Sequence, residues 1–126
     1  MRSFSVFAGE GAHRVEVLCV LLGADLCLCI GGGQKTHIGA AALAVSRESL
    51  RCDGNSSASA SVLCVPGHKE DELAREAALR FAARFGGNVL VSAGMHIDQA
   101  KEGDILLLME NCRVALELAL EKLEAL

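Results

Sequence analysis

The sequence predicts an α/β domain of the α+β type: a mixed, mostly antiparallel sheet with two helices on one face. Three observations predict it. The first half alternates apolar and polar residues with period two, two later segments repeat every three to four residues, and a strand–helix–strand run links the halves. With 126 residues, the chain suits one domain, 1–126, without linker or internal repeat. Apolar residues make up 52%, enough for a core without disulfides or a structural metal.

The elements follow in order. Ser3–Ala8 alternates, and Gly9-Glu10-Gly11 turns the chain. His13–Leu22 puts Val15, Val17, Cys19 and Leu21 on one face. Gly23-Ala24-Asp25 is a turn, after which Leu26, Leu28 and Ile30 point one way. Two tight connections in succession predict an antiparallel meander. Gly31-Gly32-Gly33 ends that strand, Ala40–Val45 is a short apolar strand, and Ser46–Ser57, with Asp53-Gly54-Asn55, reads as an exposed loop. Ala58, Ala60, Val62 and Cys64 then alternate against Ser59, Ser61 and Leu63.

The period changes at about Lys69. Leu73, Ala77, Phe81 and Phe85 recur every four residues, with Glu70, Asp71 and Glu72 at the start and Arg80 and Arg84 near the end, matching a helix dipole. Gly86-Gly87 stops this helix, and Val89, Val91 and Ala93 form the last strand, parallel or nearly so to Ala58–Cys64. A second helix runs from about Glu102 to the C-terminus on a stripe of Ile105, Leu108, Cys112, Leu116, Ala119 and Leu123. Leu106, Leu107, Leu118 and Leu120 widen its apolar surface, which predicts either deep burial or a second apolar face in a homodimer.

The net charge of −4 and the lack of a Lys/Arg run argue against nucleic-acid or membrane-surface binding. Val17–Ala24 stops at Asp25, far short of the ~20 residues a membrane span requires. Met1–Phe7 alternates and does not resemble a secretory leader. The six cysteines form no CxxC pair, and Cys27 and Cys29 stand one pleat apart on one face, a poor disulfide geometry. They read as reduced thiols of a cytoplasmic protein.

Chemistry-bearing residues gather in three segments: Gly31–Gly39, joining two strands; Pro66-Gly67-His68-Lys69, entering the first helix; and Ala93–Asp98, leaving the last strand. Each sets glycine beside histidine, and glycine lets backbone N–H groups approach a ligand closely. The turn before the first helix offers N–H groups and a positive dipole end suited to phosphate. The first segment is not a P-loop, since no GK[ST] follows. His37, His68 and His96, with Asp98 as an orienting carboxylate, also leave a metal-assisted site open, although they share no ligand spacing. No GxSxG elbow or evident cysteine–base pair points to a nucleophile. The three hydroxyls of Ser57, Ser59 and Ser61 share one strand face, which reads as solvated or closely packed ahead of the alternative of hydrogen-bonding a polar ligand, and His13 reads as structural or exposed.

Gly32-Gly33 followed by His37-Ile38-Gly39-Ala40-Ala41-Ala42-Leu43-Ala44, Ser59-Ala60-Ser61-Val62 leading into Pro66-Gly67-His68-Lys69-Glu70-Asp71, and Ser92-Ala93-Gly94-Met95-His96-Ile97-Asp98 resemble the LpdD family over nearly the whole chain. That family is the small D subunit associated with gallate decarboxylase, also described as a prenylated-flavin chaperone. The resemblance implies a fold similar to proteasome-assembly chaperones. It implies a non-catalytic homodimer that binds prenylated FMN and helps mature or deliver it to a UbiD-like decarboxylase, with a flavin prenyltransferase as a further partner. Carried onto this sequence, the cofactor-binding set is Gly32, Gly33, His37, Gly39, Gly67, His68, Lys69, His96 and Asp98, with Gly67–Lys69 on the phosphate. Two alternatives stand beside it: a metal-dependent enzyme using His37, His68 and His96, and an assembly chaperone for a decarboxylase subunit without a small-molecule ligand. With four phenylalanines and no Trp or Tyr, a flavin ring must stack on aliphatic residues or on a dimer partner.

Overall fold

The computed structural model describes residues 1–48, 56–67 and 70–126. The elements are β1 (Arg2–Ala8), a 3-10 turn (Gly11–His13), β2 (Val15–Leu22), β3 (Asp25–Gly33), β4 (Lys35–Glu48), β5 (Ser56–Cys64), α1 (Asp71–Phe85), β6 (Asn88–His96) and α2 (Glu102–Glu124). One six-stranded sheet has the order β1-β2-β3-β6-β4-β5. All neighbours are antiparallel except β3 and β6. The mixed, mostly antiparallel sheet and its two helices match the predicted class.

The meander β1-β2-β3 forms as the alternation requires. The strand–helix–strand unit runs from β5 through α1 to β6, and those strands point the same way, but β4 lies between them. The parallel hydrogen-bonded neighbour of β6 is β3. Period-two patterning sets which face a strand buries; it carries no information on which strand lies alongside.

The strands are longer than the sequence pattern suggests. Gly31–Gly33 belongs to β3, Lys35–Ala40 to β4, and Ala93–His96 to β6, so two segments read as loops are strand ends. Ladder hydrogen bonds and not side-chain alternation hold them, which leaves little pattern to read. The strand ends Ser46–Glu48 and Ser56–Ser57 replace the flanks of the expected exposed loop. Its centre, with Cys52 and Asp53-Gly54-Asn55, lies outside the described residues.

The core fills the space between one sheet face and the helices. Val15, Val17, Cys19, Leu28, Ala42, Val89 and Val91 are buried from the sheet side. From α1 come Ala74, Ala77, Ala78, Phe81 and Ala82. These alanines let α1 lie close on β4, β5 and β6 with Phe81 inserted, and burying that ring contributes about 1.5–3 kcal/mol. Gly86, left-handed at φ 75°, ends α1 and donates its N–H to the Ala82 carbonyl.

Helix α2 packs on β1 and β2 through Leu108, Cys112, Ala115, Leu116, Ala119 and Leu120. Ile105, predicted in this stripe, is 52% exposed. Asp104 takes the inward position of the first turn instead, one turn before Leu108. Its Oδ1 lies 2.8 Å from His13 Nε2, and its Oδ2 accepts the Lys101 N–H at 2.9 Å. His13 is thus structural, tying the β1–β2 connection to the start of α2. Hydrogen bonding to His13, then to the Lys101 N–H, holds the Asp104 carboxyl below its usual pKa. No helix among the described residues is long and apolar enough to cross a membrane.

Candidate functional site

Parallel pairing of β3 with β6 sets two glycine-bearing strand ends side by side: Gly31 opposite Gly94, Gly32 opposite Met95 and Gly33 opposite His96. Their carboxyl ends share one end of the sheet, a frequent place for ligands beside parallel strands. On the other side of β6, β4 runs antiparallel, with Thr36 opposite Met95 but Ala40 opposite Ala93. Four steps along β4 therefore span two along β6. The excess forms a bulge made of His37, Ile38 and Gly39, a device that re-aims side chains at a sheet end.

Two glycines make the bulge possible. A Cβ on Gly94 would run into the His37 carbonyl, and one on Gly39 would run into the Glu70 carboxylate. The turn before α1 is fastened to the same bulge at two points. The Val65 N–H donates to the Gly39 carbonyl at 2.8 Å, and Glu70 Oε1 lies 3.4 Å from His37 Nε2. The first and third segments singled out in the sequence thus meet, and Val65 and Glu70, which flank the second, are tied to the same bulge.

His37 is largely buried, with its Nε2 also 3.4 Å from the Met95 carbonyl. Its ring stands edge-on to that of His96, centroids 6.5 Å apart. His96 is half exposed, and its Nε2 lies 2.9 Å from Asp98 Oδ1. Gln34, at the β3–β4 turn, ties these groups together. Its N–H donates to the His96 carbonyl at 2.7 Å, and its Oε1 accepts the Asp98 N–H at 2.8 Å.

A cavity of about 640 Å³ opens here, lined by Gln34, Lys35, His37, Ile38, His96 and Asp98. A second, of about 330 Å³, shares His37 and Ile38 and runs onto the sheet face without helices, past Leu18, Cys29, Gly31 and Ser92. Both fall in the size range of small-molecule sites.

His37, His96 and Asp98 line the larger cavity, and Gly39 belongs to the bulge beside it. Gly32 packs against Arg14 and Val15, and Gly33 turns at φ 77° against the His96 backbone; both border a smaller neighbouring hollow of about 210 Å³. Gly67 sits with open space around it. His68 and Lys69 lie outside the described residues. Sequence reasoning passed over Gln34, Lys35 and Ile38, although they stand inside the first segment, and it read Glu70 only as a helix-dipole residue. A polar or charged residue near glycine and histidine is the signal that could have found Gln34, Lys35 and Glu70; the apolar Ile38 carries no such signal.

Among the described residues, no three of His, Cys, Asp and Glu gather closely enough to hold a metal ion. Of the described cysteines, Cys19 and Cys112 are buried, Cys27 is half-buried, and Cys29 and Cys64 are exposed. Burial pushes the Cys19 and Cys112 thiols up to about 12. Burial, then the neighbouring Cys29, raises Cys27.

Fold and site together define a small α+β binding domain: a sheet with helices on one face and a polar cavity at the end of its parallel pair. The chain belongs to the prenylated flavin chaperone LpdD-like domain family, whose model matches residues 9–124. Among solved structures, it is similar to a chain of a chaperone complex for yeast 20S proteasome assembly. The TM-score is 0.61 at 16% identity, over 98% of this chain and 95% of that one. At that identity, the likeness shows the fold alone, and it agrees with the architecture the family resemblance implied. No curated protein matches the chain.

Proposed function

We propose that this chain is a cytoplasmic, non-catalytic homodimer that binds prenylated FMN at the bulged end of the sheet and delivers it to a UbiD-like decarboxylase. The convergence of His37, His96, Gln34 and Lys35 on one cavity of about 640 Å³ carries the reading. Membership of the prenylated flavin chaperone family supports the choice of ligand.

The residues fit the group. An isoalloxazine asks for apolar surface on its faces and hydrogen-bond partners along its polar edge. Ile38 and Leu18 offer the first, and His37, His96 and Gln34 the second. The phosphate asks for a cation or free N–H groups. Lys35 lines the cavity, the Gly67-His68-Lys69 segment precedes α1 in the sequence, and its flanking residues Val65 and Glu70 are tied to the bulge. Gly32, Gly33 and Gly39 shape the backbone around the ligand. Asp98 orients His96. When bound, the prenylated flavin brings the electron-accepting ring that the client decarboxylase uses; this chain's residues hold and orient it.

Open cavities and half-exposed polar partners suit a carrier, which must release what it binds. The flavin prenyltransferase is the donor in this scheme and the decarboxylase the acceptor. Titration of the protein with prenylated FMN and with plain FMN, followed by absorbance, tests the reading. Selective, saturable binding of the prenylated form supports it, and indifference to both flavins overturns it.

A further inference from the structure

Helices α1 and α2 lie side by side on the sheet and point the same way. Strands β5 and β6 both run toward the cavity end, and each helix starts there. The ion pairs Arg80–Glu117 and Arg84–Glu124 bridge the C-terminal halves of the two helices. Toward the cavity end, α1 rests on β4, β5 and β6 and α2 on β1 and β2, and a groove of about 450 Å³ opens between them. Leu73 and Ala77 line it from α1, and Leu106, Met109 and Leu116 from α2. Leu106 is 63% exposed and Met109 45%. Large apolar side chains left open together in this way mark a contact site.

The charged residues of the rim are unequally satisfied. Arg80 pairs with Glu117, and Arg113 with Glu110 at 2.7 Å. Glu76 on the rim, and Glu72 and Glu102 one turn before Glu76 and Leu106, enter no ion pair among the described residues. Arg75 stands about 200° around α1 from Leu73, on the flank away from the groove. The groove is apolar inside, with unmatched negative charge at its mouth.

We propose that this groove receives a basic amphipathic helix of a client protein. Apolar anchors at i, i+4 and i+7 of that helix fill the floor, and Lys or Arg beside them meets Glu72, Glu76 and Glu102. The groove is separate from the ligand cavity, and the functional reading enters only in calling the partner a client.

Length, backbone chemistry and charge select this occupant. From Leu106 to Leu116 the groove runs about 15 Å along α2, which covers the ~10 Å between helical anchors i and i+7. Both walls are helices whose backbone groups are bonded internally, so an extended segment would find no ladder to join, whereas a helix brings its own hydrogen bonds. A second copy docked helix face to helix face would set one acidic mouth against another, and an anionic lipid surface would be repelled in the same way. A helix with basic flanks meets no such opposition. Seated here, the client stands at the end of the sheet where the cavity at His37 and His96 opens.

Fluorescence anisotropy with a labelled peptide of about 18 residues, long enough for a helix in water, tests this on the full chain. The peptide carries Leu at i, i+4 and i+7 with Lys on the flanks; a companion carries Glu in place of Lys. The Lys peptide is expected to bind saturably, with the Glu peptide at least tenfold weaker. Leu106→Gln and Met109→Gln should each weaken the Lys peptide about tenfold, and Glu76→Lys should narrow the gap between the two peptides. Leu118→Gln, on the side of α2 away from α1, should change nothing. A photo-crosslinker at the central Leu should label the segments Leu73–Arg80 and Leu106–Leu116. No binding of the Lys peptide, equal binding of both peptides, or crosslinks elsewhere on the chain overturns the proposal. If Met109→Gln does not fold, Leu106→Gln and the wild-type crosslinks decide. A chain that takes the Lys peptide in this groove but binds neither flavin overturns the flavin reading and leaves the groove assignment standing.

Discussion

The Glu70 carboxylate lies 3.4 Å from the His37 imidazole and against the Cα of Gly39, joining the start of α1 to the bulge of β4. Both side chains are largely buried, so this contact sets the position of His37 in the cavity wall. Glu70→Ala should weaken flavin binding about tenfold, equivalent to about 1.4 kcal/mol. Gly39→Ala pushes on the same carboxylate from the other side and should give a similar loss. Because both act through one contact, the double variant should be no worse than either single one. Additive losses in titration calorimetry would separate the two residues.

His37→Ala and His96→Ala should each weaken prenylated FMN binding and leave the fold intact, since neither belongs to the apolar core. Circular dichroism alongside the titration checks this, and unfolding of both variants would make these histidines structural.

Lys35→Ala and Lys69→Ala should reduce binding of prenylated FMN more than of its dephosphorylated, riboflavin-level counterpart. Equal losses for the two ligands would remove that lysine from the phosphate role.

Gly94→Ala sets a methyl group against the His37 carbonyl, in the strand beneath the bulge. Overpacking of this kind costs about 1–3 kcal/mol. Tm should fall by several degrees in a thermal melt, and ligand affinity should fall with it because the bulge must shift. A variant as stable as wild type would contradict the close approach.

Stability should fall at both pH extremes for assignable reasons. The lowered Asp104 pKa adds stability that is present above the unfolded value near 3.8 and is lost as pH drops through the folded value. Asp104→Asn should flatten that acid limb. Cys19 and Cys112, raised to about 12, act in the other sense: their contribution is full below about pH 9 and lost as pH rises toward 12. Denaturant midpoints measured across pH check both limbs.

The legible part of the fold was the part governed by side-chain burial. Val15, Val17 and Cys19, then Leu26, Leu28 and Ile30, alternate because one face of each strand is buried, and the meander follows. Ala77 and Phe81 mark the inner face of α1 in the same way. The insertion of β6 between β3 and β4 was not legible, because strand order depends on backbone ladders that side-chain pattern does not record. Nor was the rotation of α2, where Asp104, through its contact with His13, takes the place that pattern assigned to Ile105. In the site, histidine beside glycine was readable in each segment. The meeting of the first and third segments depends on β3–β6 pairing and the bulge, and only that meeting brings Lys35, Ile38 and Glu70 into view.

Titration of the purified full chain with prenylated FMN, with plain FMN alongside, tests the central claim most directly. Saturable binding of the prenylated form, weakened by His37→Ala and His96→Ala, is the predicted result. Absence of binding by either flavin to the folded protein would contradict the account.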